Sequence, residues 1–166
     1  MEGDYVIRMI AAVDARLGVA NAHGIPWQGK IPMDREYFQE QTAEGVIVMG
    51  YATYKEFGQP LHERMNFVVT RPDTGELREG FVGVLDLTEF IDARTRELVW
   101  VIGGAGLFAA CLGQADQLFL THLDADFHCT KFFPSFIDTF DLVSELGPHE
   151  QSDISFTFQT WQRSSS

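Results

Sequence analysis

One carboxylate stands among large apolar side chains in the stretch Gly24-Ile25-Pro26-Trp27, then Pro32-Met33-Asp34, then Phe38. Two prolines and a glycine make the first half a shaped loop. Asp34 falls where a helix should begin, beside free N–H groups and the positive end of the dipole. Phe38, four residues on, projects from the same face as Asp34. Two readings fit: a capped surface helix with a hydrophobic staple, or the single acid of an otherwise apolar pocket.

Two strand-to-helix turns carry a second kind of chemistry. Val101-Ile102-Gly103-Gly104-Ala105-Gly106 is glycine-rich, so backbone N–H groups can approach an anion at a helix N-terminus. It has neither the G-x-G-x-x-G spacing nor the Lys-Ser/Thr pair of a P-loop. Met49-Gly50-Tyr51-Ala52-Thr53 is the other turn, with Thr53 able to cap its helix or donate to a phosphate. Two such turns on neighbouring strands suit a dinucleotide diphosphate. Arg64 and Arg71 flank the strand between them, and Arg71, at that strand's carboxyl end, suits a ribose 2′-phosphate. Each arginine taken singly also reads as a solvated surface group.

These residues need elements to hold them. Residues 5–13 read as a buried first strand whose end, Ala11-Ala12, leaves room for a backbone or a flat ligand. A loop over 14–24 leads to the opening stretch and a helix over 34–43, closed by Gly45. Continuous apolar runs at 46–49, 65–70 and 98–102 are strands covered on both faces, as in a parallel sheet. Residues 81–84 form a weaker strand. Helices follow at 52–57, from Leu87 with Thr88 as N-cap, and at 107–112. Residues 117–123 form another strand. At 140–146 and 154–162 apolar and polar residues alternate, as in antiparallel strands, and residues 163–166 should fray. β-α units first and an antiparallel end later make an α/β protein with one domain over 1–166.

Composition narrows the function. The chain has 166 residues, 45% hydrophobic with 14 Phe, enough for one core. No apolar run reaches the roughly 20 residues of a membrane span. Met1-Glu2-Gly3-Asp4 shows no signal peptide. A net charge of −12 argues against nucleic acid as a partner, while small anions can still bind where arginines or helix N-termini focus positive potential. Cys111 and Cys129 form no spaced motif, which favours a reduced cytoplasmic compartment and no metal site. His23, His62, His128 and His149 read as surface residues without ligand spacing, and His122 as a strand-end histidine.

Taken in order, Ile10-Ala11-Ala12, Gly24-Ile25-Pro26-Trp27 and Pro32-Met33-Asp34 with Phe38 resemble dihydrofolate reductase. Val48-Met49-Gly50 with Thr53, Pro60-Leu61 with Arg64-Met65-Asn66, Val101-Ile102-Gly103-Gly104 and Leu120-Thr121-His122 extend the resemblance over nearly the whole chain. It implies the three-layer αβα fold of that family: a central mixed, mostly parallel sheet of about eight strands with an antiparallel C-terminal hairpin. It also implies NADPH-dependent reduction of 7,8-dihydrofolate to tetrahydrofolate, in support of one-carbon metabolism, by a cytoplasmic monomer open to antifolates such as methotrexate or trimethoprim.

Residue by residue, the resemblance makes Asp34, Trp27 and Thr121 the catalytic group. Asp34 would accept from the pteridine N3 and 2-amino group, Thr121 would support Asp34 and a water, and Trp27 would brace the loop that closes over the nicotinamide. Ile10, Ala11, Ala12, Phe38, Phe57, Leu61 and Ile102 would line the substrate pocket, and Arg64 would clamp the α-carboxylate of the glutamate tail. Ala12, Val19, Ala20 and Ile25 would meet the nicotinamide end of the cofactor. Gly50, Tyr51, Ala52, Thr53, Ile102, Gly103, Gly104, Ala105, Gly106, Leu107 and Phe108 would surround its middle, with the diphosphate on Thr53 and residues 103–106. Thr70 and Arg71 would take the 2′-phosphate. Hydride would pass to C6, and a water would carry the proton to N5, which Asp34 does not touch.

The chain departs from the family's pattern at a few places. Gly29-Lys30 lengthens the loop before Asp34 by about two residues relative to common bacterial forms. Tyr51 stands where many relatives have arginine, Ala105 replaces a third glycine, and Phe108 a tyrosine. Cys129-Thr130-Lys131 replaces a Gly-Asp-Thr-like loop. Two other functions share the residues: a same-fold reductase of another pterin or of a riboflavin-pathway pyrimidine, and a catalytically silent NADP- or folate-binding protein. Arg64 has little to do without a glutamate tail, and Asp34 with Thr121 argues against silence.

Overall fold

The apolar runs become the inner strands of one eight-stranded sheet in the order β5-β4-β3-β6-β1-β7-β10-β9. The structure is a computed structural model and describes residues 6–93 and 97–165. The strands are β1 (Val6–Val13), β3 (Val46–Met49), β4 (Asn66–Val69), β5 (Phe81–Val84), β6 (Leu98–Val101), β7 (Gln117–Leu123), β9 (Phe140–Gln151) and β10 (Ile154–Arg163). β5 through β7 pair in parallel, and β10 joins β7 and β9 antiparallel. Helices cover both faces of the parallel part, which is why Ile47, Val48 and Met49 are all inaccessible to solvent.

On one face lie α1 (Pro32–Gln41) and α2 (Tyr51–Glu56), whose Tyr37, Phe38, Tyr54 and Phe57 pack with Ile10, Ile47, Met49 and Trp100. On the other lie α3 (Leu87–Asp92) and α4 (Ala105–Cys111), which bury Phe90, Ile91, Leu107 and Phe108 against Ile7, Met9 and Val101. A third cluster joins Trp27 and Ile31 to Leu123, Ile154, Phe156 and Phe158.

Several expectations need correcting. The first strand is described over Val6–Val13, and Tyr5, expected to open it, lies outside the described residues. Asp86, not Thr88, caps α3, because its carboxylate accepts from the Glu89 N–H three residues on. Gly50 is the N-cap of α2, so Thr53 caps nothing. β9 runs to Gln151 rather than stopping at Leu146, and it is an edge strand without a buried alternating face beyond Phe140. Arg163 and Ser164 are held rather than frayed: the Arg163 guanidinium donates to the carbonyls of Ala115 and Leu112, and the Ser164 N–H to Thr139. His149 packs against the rings of Phe156 and Phe158. A two-stranded sheet of β2 (Gly18–Ala20) and β8 (Lys131–Phe132) went unforeseen, being too short to leave a pattern.

Candidate active site

Parallel pairing brings β1 beside β7 with Ala12 opposite Thr121, and α1 crosses this pair. Pro32 occupies the first turn of α1, where its missing N–H matters least. Asp34 is the third residue of the helix, not its cap. Its Oδ1 accepts from the Thr121 hydroxyl at 2.5 Å, and Thr121 is 2% exposed. Burial pushes the Asp34 carboxyl above its ordinary value; the Thr121 hydroxyl, which favours the charged form, offsets part of this. One turn along, Tyr37 stacks on Phe158 at 4.1 Å between centroids and fixes the rotation of α1 on the sheet.

Around this acid the structure gathers Ile10, Phe38, Phe57, Leu61 and Ile102 in one apolar cluster, with all but Ile10 partly exposed. Their partly exposed edges give a flat ligand an apolar surface, with Asp34 on the same helix as Phe38. Ala12 reaches the Trp27 cluster on the same side of β1, whereas Ala11 alternates to the opposite face and packs with the α4 cluster. Arg64 donates to the His62 carbonyl at 2.9 Å and to the Thr42 hydroxyl at 2.8 Å. Thr42 in turn donates to the Phe38 carbonyl. Buried Asn66 holds the 61–64 loop through bonds to Leu61 and to the Arg64 carbonyl. The resemblance implies no role for Asn66; its polarity within an apolar strand is the signal that marks it.

The two glycine turns meet. β3 and β6 are neighbours, and the Gly50 N–H donates to the Gly103 carbonyl at 2.7 Å. Gly103 has φ +113, and a Cβ there would press on the Phe108 ring, so only glycine fits. Neither α2 nor α4 has a side-chain cap. The Thr53 hydroxyl lies beside Gly103 and Gly104. A cavity of about 520 Å³ opens at this place, lined by Gly50, Tyr51, Thr70, Arg71, Gly106 and Leu107. Val69, Thr74, Leu87 and Ala110 complete it and were not anticipated; only Ala110, one turn after Gly106, had a spacing that could have revealed it. A second cavity of about 580 Å³ lies on the other side of Arg71, reaching Gly83 and Leu85. Uncapped helix ends, an open Gly106 and a free-standing arginine are what a phosphorylated dinucleotide requires, so the residues present fit NADP.

Other expected cofactor residues lie apart from this cavity. Ala105 begins α4 next to the turn, and Ala52 is exposed on α2. Val19 is buried in the core, and the Ala20 carbonyl accepts from Thr130. Ile25 is 38% exposed at the tip of its loop. Phe108 is turned inward against Phe133. Trp27, 3% exposed, packs edge-on against Phe127 and anchors the loop. The longer segment at Gly29-Lys30 folds into successive turns, closed by Gln28 N–H to the Ile25 carbonyl and Lys30 N–H to the Trp27 carbonyl.

The loop's root is a buried carboxylate that no motif or spacing singles out. Asp14, fully buried, accepts from the N–H groups of Arg16, Gly18 and Phe127. Burial raises its carboxyl, but these donors and the Cys129 thiol outweigh that and hold it below the usual range. Cys129 is pushed up to about 11 by burial and by the Asp14 charge. Gly18 is needed here because a Cβ would overlap Cys129.

Fold and site together define an α/β protein with a cavity at the carboxyl ends of β3, β4 and β6 and a single acid, Asp34, held on Thr121 of β7. A family model described as dihydrofolate reductase matches residues 6–163. The chain is 32% identical to the dihydrofolate reductase of Bacillus subtilis over 165 residues, 97% of this chain and 96% of that one. It is 32% identical to the type 3 dihydrofolate reductase of Salmonella typhimurium over 149 residues, 89% of this chain and 90% of that one. The chain belongs to the dihydrofolate reductase family. A solved Enterococcus faecalis dihydrofolate reductase, complexed with NADP(H) and RAB-propyl, shares the fold at a TM-score of 0.85 with 23% identity, covering 96% of this chain and 97% of that one.

Proposed function

We propose that this chain reduces 7,8-dihydrofolate to 5,6,7,8-tetrahydrofolate with NADPH, as one domain over residues 1–166 acting as a monomer. The observation that carries the reading is the partly buried Asp34–Thr121 pair beside an apolar cluster, together with the cavity between Gly50, Arg71 and Gly106. Asp34 binds the pteridine N3 and 2-amino group, and its raised affinity for a proton favours the protonated-like ring. Ile10, Phe38, Phe57, Leu61 and Ile102 sandwich the rings and exclude water. Arg64, aligned by Thr42 against the end of α1, takes the glutamate α-carboxylate.

NADPH supplies the hydride when bound. Thr53 and the backbone of 103–106 hold its diphosphate, Thr70 and Arg71 its 2′-phosphate, and Ala12, Ala20 and Ile25 the nicotinamide end. Trp27 keeps the lid loop over that end. N5 lies beyond the reach of Asp34, so a water delivers its proton. Methotrexate-like and trimethoprim-like diaminopyrimidine groups compete for Asp34. The free thiols Cys111 and Cys129 suit a reducing cytoplasm. Among the described residues no helix is long and apolar enough to cross a membrane.

The test is a spectrophotometric assay of NADPH oxidation on adding dihydrofolate, with methotrexate as a control. Dihydrofolate-dependent, methotrexate-sensitive oxidation is expected. Its absence would turn attention to another pterin or a pyrimidine as substrate.

A further inference from the structure

The start of α1 has an unusual division of labour. Pro32 brings no N–H to the first turn, and the Asp34 N–H donates to the Ile31 carbonyl at 3.0 Å. The Met33 N–H donates to the Gln151 side-chain carbonyl at 2.8 Å, from a residue 118 positions away at the end of β9. The segment of α1 itself supplies no side-chain cap. Next to Gln151, the Ser152 hydroxyl donates to the Lys30 carbonyl at 2.7 Å, so the hairpin turn grips the chain on both sides of Pro32.

An aspartate in the first turn of a helix ordinarily turns its carboxylate to the free N–H groups there. Asp34 does not: its carboxylate goes to Thr121. We propose that Gln151 is a positioning residue of the reductase site, which caps α1 from the C-terminal hairpin and thereby frees the Asp34 carboxylate to turn to Thr121. The inference rests on the assignment of Asp34 as the acid that binds substrate. It also gives the lengthened Gly29-Lys30 segment a fixed landing point ahead of the helix.

If the Met33 N–H loses Gln151, it becomes a free donor in the first turn of α1, where Asp34 is the acidic residue. Accepting that bond would draw Asp34 from Thr121 and favour its charged form. On α1, Tyr37 is the ionisable side chain coupled to Asp34, and from β7 the neutral Thr121 faces it. Lys30, His149, Glu150 and Asp153 are the charged or titratable residues next in sequence to the two gripping bonds.

The test is carboxyl-carbon NMR titration of Asp34, assigned with Asp34→Asn, in the parent protein, Gln151→Ala and Gln151→Glu, together with kcat/KM for dihydrofolate and Kd for NADPH. Gln151→Ala is expected to lower the Asp34 midpoint and to reduce kcat/KM about tenfold, with the Kd for NADPH unchanged. Gln151→Glu keeps an acceptor of the same reach, so it should keep the fold and hold the Asp34 midpoint at or above that of the parent. A midpoint unmoved in Gln151→Ala, or one that moves while kcat/KM stays the same, overturns the proposal, and so does a midpoint lowered in Gln151→Glu. The titration needs no substrate, so a parent protein without dihydrofolate turnover would count against the reductase reading while the titration still decides the role of Gln151.

Discussion

Asp34 is the residue at which function and stability pull apart. Its carboxyl is largely shielded from solvent and its affinity for a proton is raised, chiefly by that desolvation. Below the ordinary carboxylate pKa it is neutral in both folded and unfolded chains. As pH rises through the raised folded value, the charged form is penalised only in the folded state, so stability is lost in that window and the loss persists at neutral pH. Asp34→Asn keeps an acceptor for the Thr121 hydroxyl without the charge. It should raise Tm by a few degrees at pH 7, for a gain of about 1 kcal/mol, and leave Tm unchanged near pH 3. Dihydrofolate turnover should fall by orders of magnitude while NADPH still binds. Thermal scans at the two pH values and steady-state rates check this; near-normal turnover would remove Asp34 from its role. Arg71 is tested by charge selectivity. It stands exposed between two cavities with its backbone N–H tied to Thr74. Arg71→Ala should weaken NADPH by about tenfold or more through loss of a charge-assisted contact, and NADH hardly at all. An equal effect on both would refute the 2′-phosphate assignment.

At the scale of elements, the lid loop depends on its root. Asp14 joins residues 16 and 18 of the lid to Phe127 of the loop after β7, and β2–β8 pairing continues the union. Asp14→Asn removes the charge and turns one acceptor into a donor facing the N–H groups. It should destabilise the fold by about 1–3 kcal/mol at neutral pH, the cost of leaving a buried donor unsatisfied. The Asp14 carboxyl titrates low, so its contribution is present above the ordinary carboxylate pKa and disappears as pH falls through the lower folded value. Urea unfolding of parent and variant at pH 7 and in acid should show the gap closing; a gap independent of pH would mean that the charge is not what Asp14 contributes. Asp14 also marks where sequence stops being legible. Apolar runs ending in glycine, such as 46–50 and 98–104, declare both the strand and the turn after it, whereas the spacing of Trp27, Asp34 and Phe38 fits a surface cap as well as a pocket acid, and only the motifs elsewhere in the chain favour the second. Asp14 and Gln151 take donors or give caps across 113 and 118 residues, a pairing that no local pattern carries. Val69 and Leu87 line the cofactor cavity as ordinary apolar residues, indistinguishable in sequence from core. The resemblance assigns Ala11 to the substrate pocket and Phe108 to the cofactor, but strand alternation takes Ala11 to the other face and Phe108 packs inward on Phe133.

The whole molecule carries 24 acidic residues against 12 basic ones. Nearly all the charge is on the surface, because the core clusters are apolar and Asp14 is the fully buried carboxylate among the described residues. A net charge of −12 on a chain of 166 residues repels itself in the compact state more than in the expanded one, and this opposes folding. Exposed ion pairs offer little relief: Arg16–Asp126 is 3.9 Å apart with 70% and 38% of the side chains exposed. Salt shortens the reach of the repulsion, since the screening length falls from roughly 14 Å near 0.05 M to roughly 4 Å near 0.5 M. The urea midpoint should therefore rise over that range of NaCl, by about 1 kcal/mol of stability at an unchanged m-value. Chloride and sulfate matched in ionic strength separate the causes. Equal gains follow from screening of charge, whereas a gain with sulfate alone would mean strengthened burial of apolar surface and would deny self-repulsion a measurable part in the stability of this fold.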